Sequence, residues 1–348
     1  MTASLAYGTP SADAALAPMQ IERRALRSDD VAIDITHCGI CHTDLHQARN
    51  DWGSTTYPCV PGHEIVGRVT AIGPTVTKFA VGDPVGVGCF VDSCQACAAC
   101  AEGKEQQCLQ RVTPTYNGKD RVTGEPTFGG YSQRIVVRQK FVLKMPPNLD
   151  LARAAPLLCA GITAWAPLRR WKVGPGSKVA VVGLGGLGHM GVKLAAALGA
   201  EVTMITTSIS KTADARALGA THVLVSTDAE AMQAAAGKFD FIYDTIPRRH
   251  DLNPYLMLLG REAVLVIVGA VELLEPFHSG LLIRNDHVIA GSMVGSLPAT
   301  QEMLDFCGEH DILPLCETIR IDEVNTAYER MLANDVKYRF VIDMATLA

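Results

Sequence analysis

No uncharged apolar run in the 348-residue chain reaches the roughly 18 residues of a membrane-spanning helix. The longest apolar stretches are cut by charge: Lys178 and Lys193 flank one, and Arg261 with Glu262 enters another. The first residues, MTASLAYGTP, carry no basic patch leading into an apolar run. No signal peptide is therefore expected, and the reading places the chain in the cytoplasm. Basic residues are fewer than acidic ones, 31 Lys and Arg against 36 Asp and Glu, for a formal net charge of -5. That balance argues against nucleic acid or an anionic membrane as a main partner. Charged residues make up only 19% and hydrophobic ones 48%, which leaves enough apolar material for two folded domains and argues against disorder. Internal repeats and low-complexity linkers are also missing. Cysteine, by contrast, is plentiful. An odd count of 11 without an export signal favours thiols and metal ligands over disulfides.

The densest chemistry lies in residues 38–47, CGICHTDLHQ. Cys41 and His46 are both candidate ligands or proton carriers, with Thr43 and Asp44 between them. An isolated Cys in a Gly-rich segment is more often packing than ligand. The stretch is also too short to close a metal site alone. His63, in PGHE, and Cys159, in APLLCAGIT, are the candidates to complete it. Two thiolates and an imidazole leave the fourth position of a catalytic Zn²⁺ open for water or substrate. Cys94, Cys97, Cys100 and Cys108 form a second cluster, C-x₂-C-x₂-C-x₇-C. Four thiolates fill a tetrahedron, so this set reads as a structural zinc site. The spacing does not fit ferredoxin-type iron–sulfur patterns. A nucleic-acid zinc module is opposed by the absence of a basic face around GKEQQ.

Up to about Leu151 the chain reads as short strands and turns. Asp30 to Thr36 alternates apolar and polar, Gly39 is expected to break that strand, and Glu64 to Ile72 reads as another. From Lys178 the rhythm changes. Short apolar strands (KVAVVG, EVTMIT, THVLV, DFIYDT, AVLVIVG, HVIAGSM) alternate with helical stretches, the pattern of a parallel sheet with crossovers. After about Ile289 two helices and a last strand, KYRFVID, close the chain. Gly183, Gly185 and Gly188 form G-x-G-x-x-G between the first of these strands and a helix, with Gly186 and Leu187 in the turn. In that context the motif is a pyrophosphate-binding turn. The next strand ends in Thr206, Thr207 and Ser208, with Lys211 beyond, where an NAD-binding fold usually carries a carboxylate. Small hydroxyls and a lysine suit a 2′-phosphate, which predicts NADP(H). The same hydroxyls can also cap the helix that follows.

Taken together, these features give a chain that resembles the zinc-dependent medium-chain alcohol dehydrogenases, in particular the cinnamyl alcohol dehydrogenase group and its bacterial relatives. The likeness is carried by CGICHTDLHQ at 38–47, YPCVPGHEIVGRV at 57–69, SCQAC at 93–97, GLGGLGHM at 183–190 and NDVKYRFVID at 334–343. It extends over nearly the whole chain. The resemblance implies an α/β protein of two domains. An irregular β-rich, GroES-like substrate domain takes 1–152 and 290–348, and a Rossmann doubly wound parallel sheet takes 153–289. It places the catalytic zinc on Cys41, His63 and Cys159, excludes Cys38, and gives two Zn²⁺ per chain with the four-cysteine site. It makes Asp44 the carboxylate that orients His63, sets Glu64 near the metal, and routes a proton by Thr43 and the cofactor ribose to His46. Thr163 is assigned to the nicotinamide, and His42 and Arg339 to the pyrophosphate.

The remaining cysteines, Cys38, Cys59, Cys89, Cys307 and Cys316, read as packing or incidental thiols. Trp52 and Trp165 are possible pocket aromatics. The expected activity is an NADP-linked alcohol dehydrogenase or aldehyde reductase acting on primary alcohols and aldehydes, aromatic or medium-chain aliphatic. Two alternatives are a non-catalytic NADPH-binding protein and a zinc reductase of another carbonyl class. The resemblance also implies a homodimer through the sheet edge around Gly291 to Leu297, with a tetramer left open.

Overall fold

The computed structural model describes residues 2–269 and 272–347. The chain divides into two compact units, residues 1–162 with 296–348, and residues 163–295.

The first unit is built on a seven-stranded sheet. Its centre is the long strand Asp30–Ile40, which pairs antiparallel with Ile65–Ile72, with Arg134–Arg138 and with the C-terminal strand Arg339–Asp343. The last pairing stitches the tail of the chain to its first third. The central strand does not break at Gly39, as the sequence suggested, but runs on to Ile40. Gly39 is required there for a different reason. A Cβ on it would stand 2.0 Å from Glu64 Oε2, so the bare backbone makes room for a buried carboxylate.

The second unit holds a six-stranded parallel sheet. Its strands in chain order are Lys178–Val182, Glu201–Thr206, His222–Val225, Phe239–Asp244, Leu259–Ile267 and Val288–Gly291. Across the sheet they run third, second, first, fourth, fifth, sixth, which is the doubly wound dinucleotide-binding order. The middle of the sheet is hydrophobic. Val179, Ala180, Val181, Met204, Ile242 and Leu265 are all fully buried, as strands covered on both faces must be.

The unit boundaries differ from those read in the sequence. Residues 153–162 pack with the first unit, where Gly86 and Gly88 leave room for Leu158 against the strand Pro84–Val87 and the turn after it. At the other end Val288–Gly291 is the sixth strand of the parallel sheet, so the second unit runs past Ile289. No single helix among the described residues is long and apolar enough to cross a membrane. The segments Leu151–Leu158 and Ala160–Arg170 pass such a test only together, bent by 53°, and most of their residues are buried in the protein.

Candidate active site

Strand register brings the first cluster together. Cys38 is paired with Ile65 and Gly39 N–H donates to Glu64 O at 2.9 Å, so the residues after one strand and before the other are neighbours. Cys41 follows the end of the first strand, His63 and Glu64 precede the second, and Phe340 opposite Ile40 brings Arg339 to the same corner. Cys159 arrives from the turn that docks on Gly86 and Gly88. The ligand atoms of Cys41, His63, Glu64 and Cys159 all lie within 4.8 Å of one another. Cys38 is elsewhere. It is fully buried, and a Cβ on Gly62 or Gly130 would meet its sulfur at 2.8 Å.

Asp44 organises this corner from the first turn of the helix His42–Ala48. Its Oδ1 accepts from His63 Nδ1 at 2.9 Å and from Gly62 N–H at 3.0 Å. Its Oδ2 accepts from Cys41 N–H at 2.9 Å, and Tyr131 Oη points at it from 3.4 Å. With Nδ1 engaged by Asp44, Nε2 of His63 is the nitrogen available to a metal. Glu64 and Arg339 form a buried ion pair. Burial still pushes the Glu64 carboxyl up to about 7, against the pull of Arg339. Two thiols, one oriented imidazole and a nearby carboxylate make a donor set that fits Zn²⁺.

Two further residues stand near this cluster with no signal in the sequence. The Tyr116 ring lies 5.8 Å from the His63 ring, and Cys89, read as an incidental thiol, interacts with Cys159. Both come from loops whose approach depends on the tertiary fold.

The residues read as a proton route lie on the same helix. Thr43 is half-buried, and His46 Nδ1 is 2.7 Å from Asp51 Oδ2. Exposed His42 has its ring 6.3 Å from that of His46. Trp52 is half-exposed, 5.5 Å ring to ring from His46. Trp165 is 1% exposed, with the Arg169 guanidinium over its ring.

Cys94, Cys97, Cys100 and Cys108 also converge, their sulfurs within 4.8 Å of one another. Backbone N–H groups point at these sulfurs: Cys94 N–H at Cys108, Cys97 N–H at Cys94 and Leu109 N–H at Cys97, each at 3.4 Å. N–H groups of Cys100 and Leu109 pull the Cys97 thiol down to about 6. Such donors favour thiolate, the form that binds a metal. All 11 cysteines are free.

In the second unit Gly183 sits at φ +92°, and a Cβ on Gly188 would lie 1.8 Å from Gly183 O. Both are needed to make the turn. Gly185 is different: an added Cβ there meets nothing within 4 Å. The protein itself does not require a glycine at that point, which fits a cradle that a pyrophosphate fills. Gly186 and Leu187 complete the turn before the helix Gly188–Ala197. At the end of the next strand Thr206 is buried and Thr207 exposed, while Ser208 caps the turn Ile209–Lys211 by accepting from Ser210 N–H. The capping role foreseen for these hydroxyls is thus present. Ser210, missed in the sequence, places its hydroxyl 2.7 Å from that of Ser208. Thr163 is buried at the start of this unit.

Comparison with known proteins agrees with this geometry. Residues 27–147 match the alcohol dehydrogenase GroES-like domain, and residues 186–309 match the zinc-binding dehydrogenase family. Aldehyde reductase YahK of Escherichia coli is 53% identical over 347 residues, covering 98% of both chains. NADP-dependent alcohol dehydrogenase C 1 of Mycolicibacterium smegmatis is 51% identical over 100% of this chain and 99% of its own. Among solved structures, a cinnamyl alcohol dehydrogenase of Sorghum bicolor superposes with a TM-score of 0.95 at 46% identity, covering 99% of this chain and 98% of that one. The Helicobacter pylori enzyme complexed with NADP(H) gives 0.92 at 40% identity, with 99% of each chain covered. The chain belongs to the zinc-dependent medium-chain alcohol dehydrogenases, in the cinnamyl alcohol dehydrogenase group with its bacterial relatives.

Proposed function

We propose that this dehydrogenase interconverts primary alcohols and aldehydes with NADP(H), and that its substrates are aromatic aldehydes of the cinnamaldehyde or benzaldehyde kind and medium-chain aliphatic aldehydes. The observation that carries the site assignment is the convergence of Cys41, His63, Cys159 and Glu64 within 4.8 Å beside the Asp44–His63 hydrogen bond. Cys41, His63 and Cys159 hold the catalytic zinc, and Cys94, Cys97, Cys100 and Cys108 hold a structural one. When bound, zinc supplies Lewis acidity toward the substrate oxygen and NADP(H) supplies or accepts the hydride.

The chain's own residues do the rest. Asp44 fixes the His63 tautomer. Glu64, balanced by Arg339, keeps a carboxylate close to the thiolates without leaving its charge unpaired. The Thr43 hydroxyl relays the alcohol's proton, accepting it as it gives up its own. His46, three residues along the same helix and held by Asp51, delivers it to solvent. The turn Gly183, Gly185, Gly186, Leu187 and Gly188 receives the pyrophosphate, with His42 and Arg339 as further contacts, and Thr163 meets the nicotinamide. Thr206, Thr207, Ser208 and Lys211 take the 2′-phosphate, and no carboxylate follows Thr206 in TTSISK to repel it.

The assembly is a homodimer. Among the described residues the edge strand Val288–Gly291 pairs on one side only, and Val288 and Met293 are exposed along it, a surface that a second copy would cover. Eleven free thiols suit the reducing cytoplasm.

The test follows nicotinamide absorbance during reduction of cinnamaldehyde and of hexanal, with NADPH and with NADH, before and after zinc chelation. Chelator-sensitive turnover that prefers NADPH is expected. Turnover indifferent to chelation would overturn the metal assignment, and preference for NADH would overturn the 2′-phosphate assignment. No turnover of either aldehyde by protein holding two zincs would overturn the substrate assignment.

A further inference from the structure

The glycine turn of the second unit is held from behind by a neighbouring loop. The strand Phe239–Asp244 ends beside the strand Lys178–Val182, with Asp244 opposite Val182, so the residue after it stands against the turn. That residue is Thr245. Its N–H donates to Val182 O at 3.1 Å and its hydroxyl donates to the same oxygen at 2.7 Å, with Gly183 O 3.3 Å from the hydroxyl. A Cβ on Gly183 would fall 2.8 Å from Thr245 Oγ1, so the contact has no slack. Further along, Ile246 and Pro247 lie over Gly269, where a Cβ would meet Ile246 O at 2.4 Å.

One side-chain pair closes this loop. Asp244 Oδ2 and His250 Nε2 are 2.8 Å apart, with the carboxylate fully buried and the ring 12% exposed. Asp244 Oδ1 accepts from Ile246 N–H at 3.0 Å. His250 Nδ1 faces Arg248 O at 2.7 Å. A carbonyl oxygen only accepts, so Nδ1 carries a hydrogen. One further proton then lies between Nε2 and the carboxylate, and its loss leaves two acceptors face to face. The hydrogen bond to Asp244 raises the imidazole above its ordinary value, against burial, and Asp251 adds to the pull. The other groups around the ring are already settled. Tyr255, from the helix Asn253–Leu256, has its ring 6.2 Å away and edge-on, its phenol pushed up by burial. Glu275, whose N–H donates to His250 O at 3.3 Å, is paired with Arg249 at 2.6 Å, and Arg248 is exposed.

We propose that His250 is a positioning residue for the cofactor. The proton it shares with Asp244 holds the loop closed on Thr245, and Thr245 holds the carbonyls of the glycine turn. Loss of that proton loosens the turn and weakens binding of NADPH and NADH alike. The proposal rests on the reading of Gly183 to Gly188 as the pyrophosphate turn.

The test titrates intact zinc-loaded enzyme with NADPH and with NADH by calorimetry, from about pH 6.5 to 9, above the ordinary histidine range. NADH lacks the 2′-phosphate, whose own titration near about 6 affects NADPH alone. His250→Gln keeps a donor toward Asp244 that does not titrate. Across that range the parent is expected to lose affinity for both cofactors about fivefold or more beyond any loss in His250→Gln. Thr245→Val removes the hydroxyl and should weaken both cofactors by the same factor, while Thr245→Ser binds them as the parent does. A pair that only stabilises the fold would shift the thermal midpoint of His250→Gln and leave the pH profile of binding as in the parent, which would overturn the proposal. Gly185→Ala separates this failure from failure of the turn assignment. If Gly185→Ala weakens both cofactors while the parent and His250→Gln share one pH profile, the role of His250 alone is overturned. If Gly185→Ala binds both as the parent does, the turn assignment falls and the role of His250 with it. Should His250→Gln fail to fold, proton uptake decides. The parent, binding NADH at about pH 8 in two buffers of different ionisation heat, takes up a fraction of a proton if the shared proton matters, and no uptake would overturn the proposal.

Discussion

Asp44 Oδ1 and His63 Nδ1 are 2.9 Å apart, and both side chains are buried. The carboxylate also takes the backbone N–H groups of Cys41 and Gly62, so one residue ties two of the candidate ligand segments together. Asp44→Asn keeps the volume and removes the charge. Zinc at the Cys41–His63–Cys159 site is expected to bind about 10- to 100-fold more weakly, the usual consequence of removing a carboxylate behind a metal-binding histidine. Competition with a chelator measures this. Zinc on the four cysteines serves as the internal control, because Asp44 does not touch them.

Gly39 tests the packing at the same corner. An added Cβ would fall 2.0 Å from Glu64 Oε2, a position that no flexible side-chain end can vacate easily, because Glu64 is fully buried and held by Arg339. Gly39→Ala is expected to cost about 1–3 kcal/mol of stability through overpacking. It also moves Glu64 away from the thiols, so turnover falls along with the urea midpoint. An alanine variant with an unchanged midpoint would show that the corner yields freely.

The cofactor site separates two kinds of glycine. Gly185→Ala meets nothing within 4 Å, so the thermal midpoint should stay unchanged while NADPH binds at least about tenfold more weakly. Lys211→Ala is expected to lower kcat/KM with NADPH by about 10- to 100-fold, the size of one charge-assisted hydrogen bond, and to leave the NADH value nearly unchanged. Thr207→Asp adds a carboxylate at an exposed position and should shift preference further toward NADH. Equal losses with both cofactors would mean that these residues support the loop rather than the phosphate.

The parallel sheet was legible because its strands, buried on both faces, write themselves as short apolar runs between glycines. The four-cysteine cluster was legible because its ligands are close in sequence. The first cluster was only partly so. Cys41, His63 and Cys159 are brought together by strand register and by a turn seated on Gly86 and Gly88, neither of which local pattern encodes. Resemblance to a family supplied what periodicity could not. Gly39 misled for the same reason. Glycine usually signals a break, but here it marks an approach by a residue 25 positions away, and the strand continues through it. Tyr116 and Cys89 had no motif to mark them.

Asp120 gives the first unit an acid-sensitive tie. Burial alone would raise its carboxyl. The Arg27 side chain and the N–H groups of Thr123 and Val122 outweigh burial and hold it well below the usual carboxylate range. An unfolded aspartate titrates near about 3.9, so the native group stays charged to lower pH than the unfolded one. The sign follows from linkage. The contribution is complete above the unfolded pKa and disappears as pH falls through the native one. Asp120→Asn should therefore be less stable than the parent at pH 7, by about 1–2 kcal/mol for a partly buried charged hydrogen-bond acceptor. The gap should narrow as pH falls from about 4 toward 2, because the parent loses what the variant never had. Urea unfolding of both proteins at a series of pH values measures the difference and cancels the titration of every other carboxylate. A gap that stays constant across that window would show that Asp120 acts through its shape and not through its charge.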